Sequence, residues 1–236
     1  MNILAIDTST FSLGVAVSTE QKVLGEFSTN IKKNHSIRLM PMISELLEEV
    51  ELTPTDLSAI VVARGPGSYT GVRIGVATAK SMAWSLGIPL IGVSSLEVIA
   101  WNGMYFPGLI VPLFDARRGQ VYTAVYRSGE DGIEVVEEER IVLLENALQA
   151  WRALPGEPSI LFLGDDVALH RERITEQLGS RAVFAPVSYS LARAAHLAEA
   201  GRAAWAAGHT EDVASFTPVY LQLAEAEAKW LAAQKK

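Results

Sequence analysis

Ile3-Leu4-Ala5-Ile6-Asp7-Thr8-Ser9-Thr10 opens on a continuous apolar run that stops at an aspartate. A run of that kind marks a strand buried on both faces. The short polar side chains after it bond their own backbone and turn the chain. Leu13 to Ser18 and Val23 to Ser28 read as two more strands, a hairpin extended to a meander. Asn34-His35-Ser36 caps a helix from about Ile37 to Val50, whose Leu39, Ile43, Leu46, Leu47 and Val50 recur at helical spacing. Ile60 to Ala63 is a second buried strand, feeding a glycine-rich turn and a helix from Thr70 through about Trp84 that Gly87 and Pro89 close. A strand at Leu90 to Val93 and a helix from Ser95 to Trp101 complete this half.

After Asn102-Gly103 and Pro107-Gly108 a similar series begins. Leu109 to Phe114 is a buried strand ending at Asp115, and Ala116-Arg117-Arg118-Gly119 is its turn. Strands follow at Val121 to Tyr126 and Ile133 to Glu138, then a helix at Leu144 to Ala153 and a strand at Ile160 to Leu163. Helices at Val167 to Leu178 and Leu191 to Ala207 flank a short strand at Ala182 to Phe184. Asp7 and Asp115 hold equivalent places, as do Ser58 to Ala63 and Ser159 to Gly164, so one unit is used twice. The fold class expected is α/β, with duplicated ββαβα-type lobes whose aspartate-tipped strands face a common cleft. That is the two-lobed, RNase H-like plan of the actin-like ATPases and sugar kinases. The divisions expected are 1–104, 105–210 and a C-terminal helical tail at 211–236. Within that tail, Ala224 to Lys236 is expected as a helix docked through Leu221, Leu223, Trp230 and Leu231.

Composition narrows the function. A net charge of -7 disfavours nucleic-acid binding led by this chain, because phosphate neutralisation needs clustered Lys and Arg. With no cysteine, disulfides, thiolate metal sites and a Cys nucleophile are excluded. The first apolar run is too short for a signal-peptide core, and no run approaches the ~20 residues of a membrane span. The cytoplasm is the compartment expected.

Arg64-Gly65-Pro66-Gly67-Ser68-Tyr69-Thr70-Gly71-Val72-Arg73-Ile74-Gly75 is the most distinctive stretch. A strand, a glycine-rich turn and a helix start can present backbone amides to an anion. The stretch lacks the Gly-Lys-Ser/Thr ending of a Walker A loop, and Ser68 is not framed as a nucleophile elbow. Asp7, Ser9, Gly65, Gly67, Ser68, Asp115 and Arg118 are therefore candidates for a degenerate nucleotide or anion site. Aspartates so placed hold hydrated Mg²⁺ in working ATPases, whereas Asx-turn capping at a strand end is the plain alternative. Gly71, Gly75 and Ala79 fall four apart on the helix and leave one stripe almost bare. Close packing within the lobe and a partner helix both account for it.

Asp7-Thr8-Ser9-Thr10, the His-Ser helix with its proline, Ala63 to Gly75, Phe114 to Tyr122 and Pro218-Val219-Tyr220-Leu221 together resemble the bacterial TsaB (YeaZ) family across essentially the whole chain. The Gly65 to Gly75 segment is the specific element. The resemblance implies the actin-like two-lobed fold and a non-catalytic partner of TsaD in making threonylcarbamoyladenosine beside the anticodon of tRNAs reading codons that begin with A. It implies a heterodimer with TsaD, support for TsaE binding, a homodimer when alone, and tRNA contact only through the complex. No cofactor of its own is implied, with ATP belonging to the complex, and no membrane. The two helices of the first lobe would meet the partner, making His35, Leu39, Met42, Ile43, Leu46, Gly71, Ile74, Gly75, Thr78 and Ala79 the expected interface.

The catalytic paralogue binds its metal through a His-x-x-x-His pair on one helix face. Here the histidines are His35, His170, His196 and His209, and the matching stretch Trp101 to Phe106 holds none. No metal site and no catalytic residue are expected. The rival readings are an actin-like-fold ATPase or kinase, and an M22-type peptidase homologue.

Overall fold

The computed structural model describes residues 1–31, 33–130 and 132–222. Among the described residues, ten strands form two five-stranded sheets. In the first, β1 (Ile3–Asp7), β2 (Ser12–Ser18), β3 (Val23–Asn30), β4 (Ala59–Ala63) and β5 (Leu90–Val93) lie in the order β3-β2-β1-β4-β5. In the second, β6 (Leu109–Asp115), β7 (Gln120–Ser128), β8 (Ile133–Leu143), β9 (Ile160–Leu163) and β10 (Ala182–Phe184) lie in the order β10-β9-β6-β7-β8. Read from the opposite edge, the second order repeats the first. Pairing repeats too. β1 and β6 each run antiparallel to the next strand and parallel to the fourth strand of their unit. The duplication is therefore present in topology as well as sequence.

Burial explains which strands are central. β1 and β4 are buried at every position, matching their unbroken apolar runs. The edge strand β3 holds only exposed and half-buried positions. β8 continues to Leu143, beyond the expected Glu138, because pairing with β7 persists through bulges to Gln120↔Leu143. The charges Glu137 to Arg140 look like a strand end in sequence, yet an edge strand tolerates them.

Among the described residues, six α-helices complete the layers. α1 (His35–Glu49) and α2 (Tyr69–Leu86) cover the outer face of the first sheet, burying Leu39, Ile43, Leu46, Val72 and Val76 against Leu4, Ile6, Val15 and Val62. Asn34 caps α1 by accepting from the Ser36 amide at 3.0 Å, and Ser68 caps α2 by accepting from Gly71 at 3.2 Å. α4 (Leu144–Arg152) and α5 (Val167–Leu178) cover the outer face of the second sheet around Trp151 and Phe162.

The middle layer is exchanged between the halves. α3 (Ser95–Ala100), from the first half, packs on β6 and β7, while α6 (Ala194–Ala206), from the second, packs on β1, β2, β4 and β5. Their side chains join Ile3, Ala5 and Val61 to Ile110, Phe114 and Tyr126 in one core. A Cβ on Gly201 would come within 2.3 Å of Val61, so α6 lies almost in backbone contact with the first sheet. A division at residue 104 by chain order therefore does not coincide with a division by packing.

α6 starts at Ala194 rather than the expected Leu191, since Arg193 is held extended by Glu26 and the same carboxylate accepts from the Ala195 amide. Residues 211–222 return over the first sheet without forming a helix. Glu211 bonds Leu90 and Phe216 enters the core beside α2. The helix expected from Ala224 to Lys236, with Leu223, Trp230 and Leu231, lies outside the described residues.

Candidate functional site

The two aspartate-tipped strands place their carboxyl groups in different environments. Asp7 is 1% exposed. Its Oδ1 accepts from the Ser9 amide at 2.8 Å and the Ser9 hydroxyl at 2.7 Å, while its Oδ2 has no partner among the described residues. Burial pushes the Asp7 carboxyl above the usual range, against the lowering pull of the Ser9 bonds and of His35. A carboxylate held this way is an Asx-turn anchor with one uncompensated oxygen. Asp115 is more open. Its amide donates to Asp166 Oδ2 at 2.9 Å, and its Oδ1 lies 3.3 Å from His170 Nε2. No local spacing in the sequence links Asp166 or His170 to Asp115, because both follow β9 while Asp115 ends β6. Arg117 and Arg118 adopt positive φ in the turn that follows. Among the described residues no group of three or more His, Asp or Glu side chains is placed to hold a metal ion.

The glycine-rich loop is largely satisfied by the protein itself. The Gly65 amide donates to Ser95 Oγ, the Ser68 amide to the Ser9 carbonyl at 2.7 Å, and the Gly71 amide to Ser68 Oγ. A Cβ at Gly67 would come within 2.2 Å of the Ser9 carbonyl. The loop closes on the β1 turn, and the Gly65, Ser68 and Gly71 amides are spent on holding it rather than left open to an anion.

The bare stripe on α2 has the same destination. A Cβ on Gly71 would meet the Thr8 carbonyl at 2.1 Å, and one on Gly75 would meet Thr8 Oγ1 at 2.4 Å. Thr8 Oγ1 in turn donates to the Gly71 carbonyl at 2.7 Å. Close packing within the lobe therefore explains Gly71, Gly75 and Ala79. Leu39, Ile43 and Leu46 are likewise core residues. As parts of an outward interface all six are corrected: they face the sheet, because a helix lying on a sheet buries its apolar stripe there first.

What remains on the surface of these helices is still apolar. His35, Met42, Ile74 and Thr78 are half-buried, Ile37 is 71% exposed, Trp84 is 72% exposed, and Met40 is also exposed. Where α1 and α2 start, a cavity of about 330 Å³ opens between Phe11, Asn34, His35, Thr70 and Ile74. His35 Nε2 bonds the Thr10 carbonyl at 3.0 Å and so carries the proton in the neutral ring. Ile37, Met40 and Trp84 break the polar side expected of a solvated helix.

Comparison with known proteins fits this architecture. The family described as TsaD: tRNA N6-adenosine threonylcarbamoyltransferase matches residues 22–230. The chain is 48% identical over 235 residues to the tRNA threonylcarbamoyladenosine biosynthesis protein TsaB of Bacillus subtilis (strain 168), covering 100% of each. It is 39% identical over 145 residues to the protein of the same name from Escherichia coli (strain K12), covering 61% of this chain and 62% of that one. Among solved structures, YeaZ from Pseudomonas aeruginosa is similar with a TM-score of 0.80 at 28% identity, covering 93% of this chain and 99% of that one. The ethanolamine utilization protein EutJ from Carboxydothermus hydrogenoformans shares the fold alone, with a TM-score of 0.52 at 13% identity over 84% of this chain and 90% of that one.

Proposed function

This chain belongs to the TsaB family of tRNA threonylcarbamoyladenosine biosynthesis proteins, and from that membership we propose that it is the accessory, non-catalytic subunit of the modifying complex. It pairs with the catalytic paralogue TsaD, supports the binding of TsaE, self-associates when alone, and meets tRNA through the complex in the cytoplasm. The observation that carries this reading is the apolar surface left on α1 and α2 after their own core is complete. A lone monomer gains nothing from Ile37 and Trp84 in water, whereas burying such side chains is worth about 1.5–3 kcal/mol each.

The ATPase or kinase reading is disfavoured by the buried Asp7 and by the loop amides already bonded within the protein. Trp101 to Phe106 carries no histidine with which to organise transfer or peptidase chemistry. Size-exclusion chromatography of Ile37→Glu and Trp84→Glu with purified TsaD is the test. Loss of the complex with an unchanged fold is expected; undiminished association of both variants overturns the choice of surface. Threonylcarbamoyl transfer by the purified chain without TsaD would overturn the accessory role.

A further inference from the structure

A second concavity lies away from α1 and the exposed face of α2, at the free edge of the first sheet. β5 is the terminal strand, and its backbone alternates in direction. The Pro89 and Val93 carbonyls accept from Ile60 and Arg64 of the neighbouring strand, so the even-numbered residues face outward. The chain uses this edge once, where the Glu211 amide donates to the Leu90 carbonyl at 2.8 Å. At Gly92, the next outward position, neither the N–H nor the C=O has a backbone partner among the described residues. Gly92 is also the one strand residue of β5 that is not fully buried.

The edge opens into a groove of about 490 Å³, floored by Ala200 and Ala204 of α6 and bounded by Arg64, Glu97 and Glu211. Its charges are unbalanced. Arg64 is paired with Glu139 at 3.4 Å, and Glu139 also accepts from Ser94 Oγ. Glu97 and Glu211 take part in no ion pair among the described residues, although Trp101 and the Arg64 guanidinium offset part of the burial of Glu97. Burial pushes the Glu97 carboxyl above the usual range, a cost that an incoming cation would relieve.

The geometry points to this groove as a docking site for a short extended peptide segment that pairs with Gly92 and places a Lys or Arg side chain between Glu97 and Glu211. Main-chain pairing at an open edge supplies affinity, and the flanking carboxylates supply the charge preference. The Phe216 ring covers one face of Gly92, so the segment enters along the strand edge, past Gly208, His209 and Thr210, which also line the groove. The site is separate from the exposed faces of α1 and α2, so it bears on a second contact.

The experiment titrates the full chain with the capped tripeptides Val-Lys-Val and Val-Glu-Val, following amide resonances by NMR. The expected result is saturable movement of the Gly92 and Glu211 amides with the Lys peptide, and little with the Glu peptide. Glu97→Gln and Glu211→Gln should each weaken the Lys peptide about fivefold, as loss of a partly screened ion pair does. Both changes keep side-chain shape, and an unchanged spectrum elsewhere establishes that the variant is folded. No movement at Gly92, equal response to the two peptides, or indifference to both substitutions overturns the proposal.

Discussion

Arg193 reaches across 167 residues of sequence to grip Glu26 of β3, its Nε lying 3.0 Å from Oε2, while Glu26 Oε1 accepts from the Ala195 amide at 3.1 Å. One carboxylate thus ties the entry to α6 to the far side of the first sheet and meets the positive end of the α6 dipole. Burial raises the Glu26 carboxyl, and the Arg193 and Ala195 bonds outweigh it, leaving it below the usual range.

Glu26→Gln should therefore destabilise the fold by about 1–3 kcal/mol at neutral pH, the usual loss for a hydrogen bond to a charged group. Because the folded value is depressed, the contribution is present above the unfolded carboxyl range and fades as pH falls through the folded one. Urea denaturation of wild type and variant at neutral pH and near pH 3 measures it; an equal gap at both sinks the assignment.

Asp7 carries the opposite sign. Its folded value is raised, so its stabilising contribution is complete only below the unfolded range and is lost as pH rises through the folded value. Asp7→Asn keeps an Oδ1 for both Ser9 bonds and removes the buried charge. The variant should be more stable than wild type at pH 7, with the advantage gone at pH 3. A lower melting temperature at pH 7 would contradict the view of Asp7 as a structural anchor.

Gly75→Leu should damage the lobe itself, because its Cβ has no room beside Thr8. A loss of about 1–3 kcal/mol is expected from overpacking against the β1 turn. Thermal unfolding decides, and a melting temperature within a degree of wild type would return the glycine stripe to the surface.

Phe216→Ala should cost about 3–5 kcal/mol, as large-to-small core changes do. The Phe216 ring lies against Gly92, and the segment it anchors also bonds Lys80 Nζ through the Phe216 carbonyl at 2.6 Å. Hydrogen exchange should accelerate first at the Glu211 and Val219 amides. Uniform acceleration across α2 and β4 would indicate that 211–219 has no local opening of its own.

The strands and both cap positions were readable because their causes are local. Unbroken apolar runs mark β1, β4 and β6, and Asn34 and Gly87 mark helix ends by side-chain and φ requirements, whereas the Ser68 cap emerges only from the structure. The repeated aspartate positions disclosed the duplication that both sheet orders carry. The destination of the Gly71-Gly75 stripe was not readable. Four-residue spacing is the same for a helix lying on Thr8 and for one meeting another molecule, and only the tertiary register separates them. The same holds for α6, whose composition says that it is buried without saying on which sheet. His170 and Glu139 take their meaning from strand neighbours far away in the chain, so periodicity gave no sign of them.

The crossing of α3 and α6 has a consequence for how the molecule is made. Ile3, Ala5, Ala16 and Val61 emerge early in synthesis, yet the helix that covers them ends at Ala206. Until that segment leaves the ribosome, one side of the earliest sheet stays wet, and neither half can finish folding before the other. At ~5–20 residues per second, the interval lasts about ten seconds or more. For that time the nascent chain exposes an apolar sheet face, and a truncation before α6 is left with no completed half to fall back on.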